Sequence, residues 1–330
     1  MKPNIDSIFC ISSADEFQKA AIDIFRFQAK ENEIYHRFIT SLKIKTEQVN
    51  TVQQIPFLPI EFFKNHTVVS EKNNVNAHTT VFSSSGTTGM NQSKHFVTDV
   101  SVYEKSYLKA FEQFYGNIED YCILALLPSY LERQGSSLIH MAADLIEKSK
   151  RPESGFYLSN YDELISKLNQ LEEQKQKTLL IGVTYALLDL IEKNRFKLNH
   201  TFVMETGGMK GKRREMVREE LHQMLCNGFG VSCIHSEYGM TELLSQAYSN
   251  GNGIFYCPPW MRVMIRDTND PFAYLPINKT GGINVIDLAN INSCSFIATQ
   301  DLGRLYANDS FEVLGRFDNS DIRGCNLMIE

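Results

Sequence analysis

A continuous apolar run occupies residues 121–127, YCILALL, and Pro128 closes it. Such a run is typical of a strand buried on both faces of a parallel sheet. Further runs of this kind lie at Thr178–Val183, Thr201–Met204 and Val231–His235. Segments with helical spacing precede them, around Tyr161–Glu173, Ala186–Glu192 and Gly211–Cys226. This alternation predicts an α/β fold, a mostly parallel sheet flanked by helices.

The sequence changes character on both sides of this region. Residues 1–70 are mostly helical in pattern, with a predicted helix over Ala14–Leu42 that breaks once near Ala29. After residue 250, short β-prone pieces alternate with Gly, Asn and Pro, which indicates an antiparallel, barrel-like subdomain. We therefore predict three parts: a helical segment over 1–70, an α/β body over 71–250 and a β-rich subdomain over 251–330.

Composition excludes several classes of protein. The chain has 330 residues, 43% hydrophobic and 22% charged, with a net charge of −6, so general nucleic-acid binding is not expected. No apolar run is long enough for a membrane span, and the first residues do not resemble a signal peptide. Seven cysteines without a CxxC pair indicate reduced thiols. We expect a cytoplasmic protein.

The most informative loop is rich in hydroxyl groups and glycine. It consists of Ser83, Ser84, Ser85, Gly86, Thr87, Thr88 and Gly89, and Lys94 follows it. Glycines let backbone N–H groups turn inward, and hydroxyls add further donors, so the loop is suited to holding a polyphosphate. It lacks the Gly-Lys-Ser/Thr ending of a Walker loop. The alternative interpretation is a flexible polar turn.

Three shorter motifs follow in order along the chain. Tyr238–Glu242, YGMTE, comes after a predicted strand, at the end of the sheet where open α/β folds bind ligands. Thr299–Arg304 and Gly315–Asp318 lie in the β-rich part. Two of the motifs have a structural alternative: YGMTE as a capped helix start, and Asp301–Arg304 as a β-turn.

Taken together and in this order, the motifs resemble the adenylate-forming superfamily, which contains acyl-CoA synthetases. The resemblance runs from about Val81 to Cys325. It implies ATP and Mg²⁺ as cofactors, a carboxylic acid substrate, and an acyl adenylate formed with loss of pyrophosphate. Gln300 departs from the superfamily, which usually has Gly at that position, and this puts the local turn geometry in doubt.

The resemblance also implies a role for each matching residue. Ser83–Gly89 with Lys94 would hold the β- and γ-phosphates, Thr241 the α-phosphate and Glu242 the Mg²⁺. Tyr238 would lie near the adenine, in a pocket lined by Gly207 and Gly208. Asp301 and Arg316 would reach the ribose.

A narrower resemblance is to the acyl-protein synthetases, the long-chain-fatty-acid luciferin-component ligases. It is carried by Leu127–Arg133, Ser136–Leu138 and Arg323–Leu327. It implies a fatty acid that is passed to Cys325 and then to a partner reductase or carrier protein, without the superfamily's C-terminal lid. Thr241, Lys94 and Cys325 are thus the catalytic candidates, and the other six cysteines are expected in the core.

Three alternatives remain open. Cys325 is either this nucleophile or an ordinary cysteine of a final strand. The acyl acceptor is either a protein thiol or coenzyme A, in the second case with a lid supplied by another chain. A non-catalytic scaffold that binds acyl groups or nucleotide is the alternative from a different class, although it would have no need of Lys94, Thr241, Glu242 and Asp301 together.

Overall fold

The computed structural model of the chain describes residues 2–71, 75–84, 92–128, 135–158, 160–207 and 216–317. The helices of these residues are α1 (Ile5–Ile8), α2 (Ala14–Glu31), α3 (Glu33–Ser41), α4 (Phe62–Asn65), α5 (Val100–Tyr115), α6 (Ser137–Ser149), α7 (Tyr161–Glu173), α8 (Thr184–Lys193) and α9 (Arg218–Phe229). The strands are β1 (Leu58–Pro59), β2 (Thr80–Ser83), β3 (Lys94–Val97), β4 (Cys122–Leu126), β5 (Gly155–Tyr157), β6 (Thr178–Gly182), β7 (Thr201–Thr206), β8 (His235–Tyr238), β9 (Ala247–Ser249), β10 (Ile254–Phe255), β11 (Met261–Arg266), β12 (Thr280–Asp287), β13 (Phe296–Leu305) and β14 (Phe311–Arg316).

One sheet carries the α/β part of the fold, with the strand order β5-β4-β6-β7-β8-β9. The first five strands in this order are parallel, and β9 pairs antiparallel with β8. Every residue of β4 and β6 is buried, because helices cover both faces of a parallel sheet and an apolar strand suits that position. The expected α/β fold class is confirmed.

A second sheet, with the order β10-β14-β13-β12-β11, forms the β-rich part after residue 250. Its strands pair antiparallel, and buried residues alternate with partly exposed residues along β11, as expected of a strand with one face on the core. Thr299–Arg304 lies inside β13, so the β-turn alternative for this motif is wrong.

The N-terminal segment contributes to this second sheet. Strand β1 pairs parallel with β13, with Leu58 opposite Ile297. From α2, the fully buried Gln28 donates to the carbonyls of Asn290 and Ile291, at 3.0 Å each. Residues before 70 and after 250 therefore share backbone pairing and buried hydrogen bonds. The division into three domains stays a prediction.

The predicted polyphosphate loop is carried by a hairpin. Strands β2 and β3 pair antiparallel, from Thr80 opposite Val97 to Ser83 opposite Lys94. The stem is fixed from outside by Gly135, whose carbonyl accepts from the Ser83 N–H at 2.8 Å. Gly135 has φ +83°, and a Cβ there would lie 2.9 Å from the Val81 carbonyl oxygen, so this approach needs glycine.

Two helix boundaries differ from expectation. The break between the first two long helices falls at Asn32 and not near Ala29, because the Asn32 side chain accepts from the Tyr35 N–H and caps α3. Helix α9 begins at Arg218, with Glu219 and Glu220 in its first turn, where acidic side chains favour the positive end of the helix dipole. The earlier predicted start, Gly211, lies outside the described residues.

The strand expected at Val231–His235 is also shifted. Helix α9 ends at Phe229, and the Gly230 and Val231 N–H groups both return to the Cys226 carbonyl, as is common after a helix. The chain therefore reaches the sheet only at His235, opposite Met204. As a result Tyr238 is the last residue of β8 instead of following a strand.

No helix of the described ranges is both long and apolar enough to cross a membrane. The six cysteines in those ranges are free thiols. Cys122 and Cys294 are buried, whereas Cys226, Cys233 and Cys257 are partly exposed. The expectation that all six lie in the core is wrong for Cys10, which is exposed at the end of a short first helix.

Candidate functional site

The two sheets meet at a hydrogen-bonded cluster of Tyr238, Asp301 and Arg316. The Tyr238 hydroxyl donates to Oδ2 of Asp301 at 2.8 Å, and Nε of Arg316 donates to Oδ1 at 3.2 Å. Asp301 and Arg316 are opposite each other in β13 and β14, while Tyr238 ends β8 of the parallel sheet. The fold thus brings together three residues that the sequence separates widely.

Tyr238 also forms part of an aromatic surface. Its ring packs edge-on against Phe255 and Phe311, with ring centroids 5.9 and 5.5 Å apart. Burial and the neighbouring Asp301 carboxylate raise the pKa of Tyr238 well above its ordinary value. The hydroxyl is therefore a neutral donor, and the buried Asp301 carboxylate has acceptor positions for further donors.

Thr241 and Glu242 follow in the loop after β8, and the backbone of this loop is held from two directions. Nδ1 of His95, in β3, donates to the Thr241 carbonyl at 2.9 Å. Nδ2 of Asn290 donates to the Glu242 carbonyl at 2.7 Å. Burial lowers the pKa of His95 to about 4, although its hydrogen bonds with the Thr241 carbonyl and with Oδ1 of Asn290 oppose this change. Residues 239–242 of the YGMTE segment form a loop after β8, so the helix-start alternative is wrong.

Glu242 is the candidate metal ligand. Its side chain is buried, and this burial raises its pKa, although a hydrogen bond from Ser93 and the charges of Arg316 and Lys64 oppose the rise. A divalent cation would favour the ionised form. In the described ranges no three His, Cys, Asp or Glu side chains form a metal cluster. A single carboxylate still fits Mg²⁺, which keeps several waters and is held by one or two carboxylates plus substrate phosphates.

The base of the hydroxyl-rich loop lies beside this carboxylate. The Ser84 N–H donates to the Ser93 carbonyl and the Ser84 hydroxyl accepts from the Ser93 N–H, both at 3.0 Å. Lys94 is exposed at the start of β3. Ser93, which follows the hydroxyl-rich loop in the chain, therefore lies next to Glu242.

Several predicted site residues lie outside the described residues: Ser85, Gly86, Thr87, Thr88, Gly89, Gly208 and Cys325. Gly207 is described and is exposed immediately after β7. Gln300, which departs from the superfamily, donates through its side chain to Glu61 of the N-terminal segment. That contact gives Gln300 a local structural role, while Asp301 keeps its hydrogen bonds with Tyr238 and Arg316.

Sequence reasoning missed a group of polar residues at the carboxyl ends of β7 and β8. The buried Glu205 accepts from Arg218 at 3.2 Å, from Ser236 at 2.9 Å and from Thr184 at 3.1 Å. Glu237 lies on the other face of the same sheet, because neighbouring residues of a strand alternate. The signal in the sequence was a carboxylate directly after the apolar run Thr201–Met204.

Comparison with known proteins identifies the fold. No protein-family model matches the chain. No curated protein matches it either. Among solved structures, it resembles ATP-bound MatB from Rhodopseudomonas palustris, at 17% identity and TM-score 0.54, over 72% of this chain and 47% of that one.

The chain also resembles 2-hydroxyisobutyryl-CoA ligase. In the postadenylation state with 2-HIB-AMP, the match has 11% identity and TM-score 0.66, over 96% of this chain and 72% of the ligase. In the thioesterification state with 2-HIB-AMP and CoA, the match has 13% identity and TM-score 0.63, over 96% of this chain and 72% of the ligase. The chain spans about half the length of MatB. These likenesses show that it has the fold of acyl-CoA synthetase-like adenylate-forming enzymes.

Proposed function

We propose that the chain activates a carboxylic acid with ATP to form an acyl adenylate and pyrophosphate. The observation that carries the proposal is the Tyr238–Asp301–Arg316 cluster beside the Thr241–Glu242 loop. It lies at the carboxyl end of a parallel sheet, where open α/β folds bind ligands. The fold is shared with enzymes whose structures hold ATP, or an acyl-AMP together with CoA.

In this reaction the acid needs no general base, because its carboxylate is already ionised. A carboxylate oxygen bonds to the α-phosphorus, the bond from phosphorus to the oxygen shared with the β-phosphate breaks, and pyrophosphate leaves with the electron pair. Catalysis then consists mainly of positioning and of stabilising negative charge. Bound Mg²⁺ supplies charge neutralisation at the phosphate oxygens.

Each residue has a proposed part in this step. Asp301 accepts from the ribose hydroxyls and Arg316 holds Asp301 in place. Tyr238 packs against the adenine, beside Gly207 and Gly208. The Thr241 hydroxyl donates to the α-phosphate, and Glu242 holds Mg²⁺. Ser83–Gly89 and Lys94 bind the β- and γ-phosphates.

For the second step we propose transfer to a thiol. The thiolate sulfur bonds to the acyl carbon and AMP leaves with the electron pair of the cleaved C–O bond, while the thiol proton passes to solvent. The sequence resemblance favours Cys325 as this thiol, a fatty acid as substrate and a cytoplasmic reductase or carrier as the final acceptor. Coenzyme A is the second candidate, favoured by the CoA bound to the ligase of the same fold.

Pyrophosphate exchange tests the first step. With Mg²⁺, ATP and labelled pyrophosphate, we expect acid-dependent formation of labelled ATP. Glu242→Gln should lower the rate about 100-fold, because it removes a charged metal ligand from the transition state. The matched control is Glu219→Gln, at an exposed position of α9. Absence of exchange with every acid from acetate to palmitate would leave the scaffold alternative.

A labelling experiment tests Cys325. The chain is incubated with ATP, Mg²⁺ and radiolabelled acid and is then denatured. We expect label on the protein that hydroxylamine releases, and no label on Cys325→Ser. The control variant is Cys10→Ser, which changes an exposed thiol elsewhere. Label that persists on Cys325→Ser would contradict this proposal without affecting the first step.

A further inference from the structure

The face of β8 opposite to Tyr238 carries a second row of side chains. Thr206 of β7 lies opposite Glu237 of β8, which lies opposite Tyr248 of β9. Register partners point to the same side of a sheet, so these three share a face, while Ser236 and Tyr238 point to the other. Because the nucleotide base is proposed to pack against Tyr238, the acid would lie on the side of the sheet that carries Glu237.

Glu237 and Gln246 come together on this face, above Gly239. A Cβ on Gly239 would lie 2.3 Å from Oε1 of Glu237 and 3.3 Å from Cγ of Gln246. The two polar side chains therefore occupy the space that any other residue's Cβ would need. Gly239 is part of the YGMTE loop, so this contact lies one residue from Tyr238 and two from Thr241.

One acceptor of this pair lacks a donor in the described ranges. Gln246 is buried, with 3% exposure, and its Oε1 has no hydrogen-bond partner there. A buried acceptor without a donor is costly, and native structures rarely leave one. Glu237 is partly buried. Among those residues, Glu205 repels its charge and the Thr206 side chain donates to it.

The surroundings of the pair are aromatic. Burial and, after it, the charge of Glu237 raise the pKa of Tyr103, in α5, and of Tyr248, which is the register partner of Glu237. The Tyr103 hydroxyl already donates to the Ser137 carbonyl, at 3.1 Å. A hydroxyl has a single proton to donate, so Tyr103 does not supply the missing donor to Gln246.

From this arrangement we infer that Glu237 and Gln246 line the acid subsite and select a carboxylic acid that carries its own hydrogen-bond donor, a hydroxyl or an amino group. The inference rests on the proposed function and narrows its substrate class. An unsubstituted alkanoic acid would cover the Gln246 oxygen without giving it a donor. Sites built for a polar substrate group discriminate strongly against analogues without it. A hydroxylated fatty acid satisfies both this inference and the sequence resemblance.

The test uses matched pairs of acids in the exchange assay with the full chain. The pairs are butyrate with 3-hydroxybutyrate and 3-aminobutyrate, and myristate with 3-hydroxymyristate. We expect kcat/KM for a donor-bearing acid to exceed that for its alkanoic partner by about 10- to 100-fold. Comparison of the hydroxy with the amino acids shows which donor is preferred.

Two near-isosteric variants test whether Glu237 and Gln246 cause the preference for donor-bearing acids. Gln246→Met and Glu237→Gln should each reduce the preference within a pair at least fivefold, with Glu219→Gln as the control. Binding of inert acyl-sulfamoyl adenosines, measured by calorimetry, gives the same comparison independently of turnover. Calorimetry also measures the preference in any variant that folds but has no activity in the exchange assay.

The outcomes separate the two proposals. Equal rates and equal binding within each pair would overturn the inference, while exchange itself would keep the proposed function. A preference that neither variant reduces would also overturn it. No exchange with any acid, and no binding of any analogue, would overturn the proposed function and the inference together.

Discussion

Asp301 is the residue on which the nucleotide site depends most directly. Its carboxylate is buried, and Tyr238 and Arg316 hold it in one orientation. Both partners donate to it, and its oxygens have further acceptor positions for another pair of donors. Hydrogen bonds to charged groups contribute about 1.5–3 kcal/mol each.

We therefore predict that Asp301→Asn raises KM for ATP about 10- to 100-fold with a smaller change in kcat, measured by exchange kinetics. Asp309→Asn is the matched control, since Asp309 lies in an exposed turn of the same sheet. An unchanged KM for ATP in the Asp301 variant would exclude a role at the ribose.

A pH effect on stability follows from Glu237. Burial, followed by the nearby Glu205 charge, raises its pKa to about 7 from an ordinary value of 4.5. The folded chain then binds this proton more tightly than the unfolded chain, so unfolding releases it. The contribution of Glu237 to stability falls as pH rises from about 4.5 to 7.

Glu237→Gln should remove this dependence. Relative to that of the original chain, the free energy of unfolding of the variant should rise by up to about 3 kcal/mol between pH 5 and pH 8. Urea denaturation at each pH measures this difference. Glu219→Gln, which changes an exposed carboxyl, should show no such gain. A constant difference between the Glu237 variant and the original chain across this range would contradict the raised pKa.

The motif residues Tyr238, Thr241, Glu242, Asp301 and Arg316 could be predicted because each belongs to a short, ordered motif. Their roles remain predictions, although the structure brings them together. Glu237 and Gln246 could not be predicted, because their contact depends on the β8–β9 pairing and on the missing side chain of Gly239. Sequence alone does not give the face of a strand on which a ligand will lie.

Helix α9 is joined to the second sheet through Arg218. The Arg218 guanidinium donates to Glu205 at 3.2 Å and to the Val313 carbonyl at 3.5 Å, and it lies 5.4 Å from the Phe255 ring. Burial acts to raise the pKa of Glu205, but its contacts with His222, Arg218 and Ser236 outweigh burial and lower it.

Removing the Arg218 charge should therefore destabilise the fold. We expect Arg218→Met to lower the free energy of unfolding by about 3–5 kcal/mol, because a buried carboxylate loses its partner. Arg195→Met, at an exposed position, is the control and should change it by less than about 0.5 kcal/mol. An Arg218→Met variant as stable as the control would show that Glu205 does not need this cation.

The contact between Gly135 and the β2–β3 hairpin gives a second prediction about elements. Gly135→Ala adds a Cβ 2.9 Å from the Val81 carbonyl oxygen and 3.2 Å from the Ser83 hydroxyl, at φ +83°. The hairpin must shift, so we expect affinity for ATP to fall about tenfold, consistent with strain of 1–3 kcal/mol. Calorimetric titration with ATP measures it.

Gly155→Ala is the matched control, because its Cβ would meet no atom within 4 Å. Equal ATP affinity in the two glycine variants would show that the position of the hairpin stem does not affect the nucleotide.

Helices and buried strands could be predicted where local chemistry sets their ends. Asp99 and Gly116 bound α5 as their capping preferences predict, and the apolar run at 121–127 contains β4. Strand β8 was misplaced because Gly230 and Val231 still satisfy carbonyls of α9. The connection after α9 contains residues of high strand propensity, such as Val231. Propensity alone therefore places the start of the strand too early.

Across the full chain, the N-terminal segment and the last sheet form one structure. Strand β1 pairs with β13, and the fully buried Gln28 donates to backbone carbonyls near residue 290. We expect thermal unfolding to show a single calorimetric transition, with equal van't Hoff and calorimetric enthalpies. Separate transitions, or a cooperatively folded fragment 71–330, would show that the first 70 residues are an independent domain.

The pairing of Leu58 with Ile297 also has a consequence for biosynthesis. A ribosome must synthesise and release residues 58 to 297 before this pair of strands can form, while the apolar side chains around residues 57–63 have already been made. Until then this region lacks its partner strand β13, and other nascent chains and chaperones can bind it. If the pairing of β1 with β13 is slow, the yield of native protein in a cell would depend on how long chaperones protect the first seventy residues.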